Sequence, residues 1–72
     1  MTVILYTIDC PKCLVLEKKL AERGIEFKTI KDKELMLQLG FSEAPILRVV
    51  SKDNNNCVDM NFTEAVQWIN KQ

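Results

Sequence analysis

The chain has 72 residues, 47% of them hydrophobic and 28% charged, with ten basic and ten acidic side chains. That is the composition of one small globular domain spanning 1–72, which on folding buries only about 60% of its unfolded surface. Balanced charge without a charged block excludes an electrostatic surface for nucleic acid or an anionic membrane. No apolar run approaches the ~18 residues of a membrane-spanning helix. The N-terminus has no basic region before its apolar residues, so no signal peptide is expected.

Thr2 to Ile8 is β-rich and almost continuously apolar, which predicts a central strand covered on both faces. Pro11 suits the first turn of a helix, where its missing N–H costs nothing. The helix is predicted to run to Arg23, with Cys13, Leu16 and Leu20 on one stripe and Gly24 just past its end. Ile25 to Ile30 alternates and predicts a second, half-buried strand. In "DKELMLQLG", Asp32 is the candidate cap of a short helix burying Leu35, Met36 and Leu39, and Gly40 stops it. "FSEAP" is a loop, Ile46 to Val50 a third strand, "SKDNNN" a turn and Cys57 to Met60 a fourth strand. Asn61 and Glu64 have the spacing of a capping box. The helix after them is predicted to bury Phe62, Ala65, Val66 and Ile69, with Trp68 at the edge.

The order β-α-β-α-β-β-α begins with a parallel strand–helix–strand unit and ends with an antiparallel hairpin and a helix. The expected fold is α/β: a mixed four-stranded sheet flanked by helices.

The chemistry lies in "DCPKC", residues 9–13. Two cysteines three apart at a helix start are one turn apart, Cys10 at the cap and Cys13 facing inward. Free N–H groups and the helix dipole favour a thiolate at the cap. An ordinary thiol titrates near roughly 8.5, and thiols in such sites fall to about 3.5–7.5. The expectation is a depressed Cys10 that attacks a disulfide and a less acidic Cys13 that resolves the mixed disulfide. Lys12 adds a cation nearby; Asp9 opposes the thiolate. Cys57 is expected to be a small core residue. Three cysteines, an odd number, argue against a secreted disulfide framework and for a reducing cytoplasm.

"YTIDCPKC" after the first strand, "EAP" before the third and a capped last helix together resemble glutaredoxin. They are also similar to the glutaredoxin-like redoxins that reduce ribonucleotide reductase. The resemblance spans nearly the whole chain. It implies a minimal thioredoxin fold without that fold's first strand and helix, and a monomer with no bound cofactor. Electrons would come from glutathione or from NADPH-dependent thioredoxin reductase. The acceptors would be disulfide-bearing proteins or glutathione mixed disulfides, ribonucleotide reductase among the candidates. Cys10 and Cys13 would be catalytic. Pro45 would be cis, turning Ala44 toward an extended substrate. Lys12, Thr7, Asn61, Thr63 and Glu64 would contribute to the glutathione or partner surface. The chain departs from the family at three places. Thr7 stands where glutaredoxins carry a lysine, Lys12 replaces an aromatic residue, and "DMNFTE" lacks the Gly-Gly pair before the last helix.

A metal carrier is the rival reading. Small copper chaperones place C-x-x-C after their first strand, and two thiolates suit Cu(I), or Zn with further ligands. Their order, β-α-β-β-α-β, differs from the one predicted here. The chain also has no histidine.

Overall fold

A computed structural model describes residues 1–53 and 56–72. The elements are β1 (Thr2–Tyr6), α1 (Pro11–Glu22), β2 (Lys28–Ile30), α2 (Lys33–Gln38), β3 (Ile46–Val50), β4 (Cys57–Met60) and α3 (Phe62–Asn70). Their order is the predicted one. They form one sheet in the order β2-β1-β3-β4. β1 runs parallel to β2 and antiparallel to β3, and β4 returns antiparallel along β3.

β1 is central because it is apolar on both sides. Val3 and Leu5 enter the larger core with Leu16 and Leu20 of α1, Leu47 of β3, Met60 of β4, and Ala65 and Ile69 of α3. Tyr6 faces the other way, into a smaller core with Met36 of α2 and Ile46, where Ile4 packs beside it. Two helices therefore cover one face of the sheet and one short helix covers part of the other.

Each of the first two helices ends by handing the chain to a core. At the end of α1, Gly24 adopts φ 68, its N–H reaches Ala21 O at 3.1 Å, and Ile25 N–H reaches Leu20 O at 3.0 Å. At the end of α2, Gly40 adopts φ 82, its N–H reaches Leu37 O at 3.0 Å, and Phe41 N–H reaches Met36 O at 2.9 Å. Both are Schellman closures, in which the left-handed residue is glycine for want of a Cβ. Ile25 then packs on the larger core and Phe41 on the smaller one.

The predicted caps are present. Asp32 accepts the Leu35 N–H at 3.1 Å. Asn61 accepts the Glu64 N–H at 2.9 Å, and Glu64 accepts the Asn61 N–H at 3.2 Å. The first strand is shorter than expected: Thr7 still pairs with Ile30 O at 2.9 Å, but Ile8 turns to solvent. The second is halved, because Ile25 closes α1 and only Lys28–Ile30 pair with β1. In α2, Met36 is buried, Leu35 is half-buried, and Leu39 lies exposed beside Leu37. Ser51 and Asn56 close the β3–β4 connection through a backbone bond of 2.9 Å. The Asn54–Asn55 part of the predicted turn lies outside the described residues.

Cys57 corrects an expectation. It is exposed, not a core residue. β4 is an edge strand, and Met60 is its one buried side chain.

On the face that α2 leaves open, Arg48 does the covering. Its guanidinium lies 5.5 Å from the ring centroids of both Tyr6 and Phe41 and binds Asp59 across the strands at 2.7 and 3.0 Å. Hydrogen bonding from Arg48, against the effect of partial burial, holds the Asp59 carboxyl below its ordinary range. A depressed carboxyl stabilises the fold above the unfolded carboxyl pKa of about 4 and loses that contribution as pH falls through the folded value. Half-exposed as it is, the pair contributes at most about 1 kcal/mol. Acid titration of thermal stability should therefore show a steeper fall below about pH 4 in the wild type than in Asp59→Asn. Parallel curves would remove Asp59 from the account.

Candidate active site

β1 and α1 bring the two cysteines to one end of the sheet. After Thr7 the chain turns sharply: Asp9 sits at φ 60 and donates its N–H to Thr7 Oγ1 at 3.0 Å. Asp9 is a residue type that tolerates this left-handed backbone. The turn leaves Cys10 as the N-cap of α1, with Pro11 in the first turn. Cys10 Sγ accepts the Cys13 N–H at 3.2 Å, and the two sulfurs lie 2.7 Å apart. Cys10 is partly exposed and Cys13 is 0% exposed.

At this separation one sulfur hydrogen-bonds the other, and their acidities are pushed apart. Cys10 is pushed up, first because it hydrogen-bonds to Cys13 and then by desolvation; the N–H groups of Cys13 and Lys12 oppose the rise. For Cys13, burial acts upward but is outweighed by the Cys10 thiol, the Thr7 hydroxyl and the N–H groups of Ile8 and Cys10, so it is lowered. This reverses the expected ranking. The cap position does supply N–H donors to Cys10, but the inner position collects more donors than the sequence suggested. Access remains with Cys10, because a fully buried sulfur cannot reach a disulfide on another protein.

Asp9 does not face the sulfurs. Its carboxylate pairs with Lys31 Nζ at 3.2 Å. Lys12 likewise turns its ammonium over the Phe62 ring, 5.6 Å from the centroid, and acts on Cys10 through its backbone N–H.

The Ala44–Pro45 peptide bond is cis. Pro45 is buried and Ala44 half-buried. Among the described residues no hydrogen bond engages the Ala44 N–H or C=O. A groove of about 130 Å³ gathers Lys12, Ala44, Pro45, Asn61 and Thr63, with Glu43 and Phe62. Five of the seven residues expected at the substrate surface thus line one groove, although they come from three parts of the chain. Glu64 does not line it; its carboxylate is spent on the capping box. Thr7 presents no surface either, being 0% exposed, which corrects its place among the surface candidates. Val3, Leu5 and Thr7 share one face by strand alternation, and that face is covered by α1.

Glu43 and Phe62 were not foreseen in the groove. Glu43 immediately precedes Ala44, and Phe62 follows the capping Asn61; adjacency to the expected residues was the available signal. Beyond Glu43 and Ala44 lies a second, apolar groove of about 240 Å³, lined by Ile8, Lys33, Met36, Leu37, Phe41 and Ser42.

No family model, curated protein or solved structure matches this chain. The functional reading therefore rests on the residues themselves. No helix among the described residues is long and apolar enough to cross a membrane.

Cys57 stands apart from the site. It pairs with Val50, whereas Tyr6, at the cysteine end, pairs with Ile46. Those two ends of β3 are four residues, or ~13 Å, apart.

Proposed function

We propose that this chain is a thiol–disulfide oxidoreductase of glutaredoxin type, on a minimal thioredoxin fold. The observation that carries the reading is the Cys10–Cys13 pair, sulfurs 2.7 Å apart at the start of α1, one partly exposed and one buried. Cys10 is the sulfur a substrate can reach, and it reacts from the fraction of the pair in which the remaining proton sits on Cys13. Cys10 attacks a disulfide sulfur of the substrate, and one half of the substrate leaves as a thiolate. Cys13 then attacks Cys10 Sγ, closing an intramolecular disulfide and releasing the other half. An external reductant, glutathione or thioredoxin reductase, restores the dithiol. A reducing cytoplasm is the setting proposed for it.

The groove beside the pair is where a substrate would lie. The unengaged Ala44 N–H and C=O can pair with an extended backbone, a mode indifferent to side-chain identity. That fits an enzyme serving disulfide-bearing proteins, with ribonucleotide reductase a candidate recipient, or glutathione mixed disulfides. A Zn carrier needs ligands beyond Cys10 and Cys13, and Cys57 sits at the wrong end of the sheet to supply one to the same site; a Cu(I) carrier could use the two thiolates alone, and the test below separates it.

The test is NADPH consumption with a disulfide substrate, driven in parallel by glutathione with its reductase and by thioredoxin reductase. Turnover in either arm is the expected outcome and identifies the electron source. Silence in both arms, with tight Cu(I) binding, would hand the site to the carrier reading.

A further inference from the structure

Two grooves meet at Ala44. The substrate groove lies on the α1 and α3 side of the sheet, and the apolar groove of about 240 Å³ lies on the α2 side; both include Glu43 and Ala44. The cysteine loop serves both. Lys12, two residues after Cys10, lines the first, and Ile8, two residues before it, lines the second. The floor of the apolar groove is the smaller core itself. Met36 is buried there, and the Phe41 ring packs edge-on against Tyr6 with centroids 5.1 Å apart. Its walls are apolar and open to solvent: Ile8 is 44% exposed and Leu37 is 72% exposed. Contiguous apolar surface beside a reactive group marks a place of recognition.

Size and charge restrict what it can hold. The groove is smaller than the about 300–1,000 Å³ of a pocket for a drug-sized molecule, which suits a single side chain. Lys33 and Glu43 also line it, one of each sign, and neither is held in an ion pair among the described residues. Opposite charges largely cancel, so the groove selects apolar surface and not an ion. Between the two grooves the Ala44 N–H and C=O are unengaged. An extended peptide paired to them points successive side chains to opposite faces. The reacting sulfur must point toward Cys10, the cap of α1; the residues on either side of it then point toward α2.

We propose that the α2 groove is a side-chain subsite, which takes the apolar residue immediately flanking the reacting cysteine of an extended protein segment. The inference rests on the dithiol reading above. It narrows the substrates to protein disulfides with a leucine-, methionine- or phenylalanine-like neighbour. Glutathione has a glycine and a γ-glutamyl group at those places and leaves the groove empty. Met36 and Phe41 are already packed, so little ordering is needed before the side chain enters.

The experiment follows oxidation of the dithiol by the symmetric disulfides of two blocked tripeptides, Leu-Cys-Leu and Gly-Cys-Gly. A Cys57→Ser background keeps the exposed thiol silent. Cys10 attacks one peptide sulfur and a peptide thiolate leaves; Cys13 attacks Cys10 Sγ and the second leaves. The protein dithiol loses two electrons and the peptide disulfide gains them, while the two thiol protons pass through water to the peptides. Oxidation is read by mass after alkylation, at peptide concentrations below saturation. Each rate is divided by that of the same peptide with dithiothreitol, which removes intrinsic reactivity. The leucine peptide should react roughly 10-fold faster than the glycine peptide, the low end for an apolar group filling a pocket. Leu37→Gln and Ile8→Thr, both at exposed positions, should each bring the ratio down to about 2-fold or less. Val58→Thr, at an exposed apolar position on β4 outside both grooves, should keep it. Equal rates for the two peptides overturn the subsite, as does a ratio that survives both groove variants. Glutathione disulfide reacting faster than the leucine peptide overturns it too. A dimer in sedimentation that Leu37→Gln dissolves gives the groove to a second copy of the chain, and likewise overturns it. No oxidation by any of these disulfides takes down the dithiol reading itself, and the subsite with it.

Discussion

Replacing Cys10 with serine should lower disulfide reduction by about 10³-fold or more, the scale on which loss of a covalent nucleophile is felt. Replacing Cys13 should have a different outcome. Cys10 can still attack, but nothing displaces the partner from its sulfur. Cys13→Ser should therefore accumulate a mixed disulfide, visible as a mass increase that reductant removes. Both variants belong in the Cys57→Ser background, because Cys57 is exposed and would form adducts of its own. The difference follows from access: Cys10 is partly exposed, and Cys13 is sealed on the inner side of α1. An adduct that forms equally on Cys10→Ser would assign the attack to the wrong sulfur. No adduct on Cys13→Ser with any disulfide offered would count against the oxidoreductase altogether.

Leu16→Ala should cost about 3 kcal/mol, within the range for a fully buried leucine that leaves a cavity. Leu16 is 0% exposed and sits between β1, α1 and α3 in the larger core. A domain of this length has only about 4–11 kcal/mol in total. The melting temperature should fall by roughly 12–24 °C, since each kcal/mol moves it about 4–8 °C in a chain this small. Leu14→Ala, two residues earlier on the same helix, is the control. Leu14 is 53% exposed, so its loss should change stability by about 0.5 kcal/mol or less. Thermal unfolding of the two variants side by side checks the claim. Similar losses would mean that α1 does not pack on the sheet through its Leu16 and Leu20 stripe.

The helix caps were legible because capping is local. Asp32, Asn61 and Glu64 each bond within three residues of themselves, and Gly24 and Gly40 close their helices over the preceding turn. The central place of β1 was legible too, since a strand apolar on both sides must be covered on both sides. Cys57 and β2 were misjudged for one shared reason. Residue type says that a cysteine or an alternating run can be buried, but sheet order decides whether anything lies over it. Both β4 and β2 are edges.

The sequence by itself determined the element order, the caps and the pairing of Cys10 with Cys13, because each depends on residues a turn apart. Tertiary structure alone decided what surrounds that pair. It sent the Asp9 carboxylate to Lys31 and the Lys12 ammonium to Phe62, and it put Thr7 under the surface. It also drew Lys12, Ala44 and Thr63 into one groove. Those groups are distant in the chain and meet only when α1, α3 and the Pro45 loop converge on the end of the sheet. The acidity ranking of the two thiols is set closer to home, by burial and by donors within residues 7–13 that the turn at Asp9 and the first turn of α1 bring around the sulfurs.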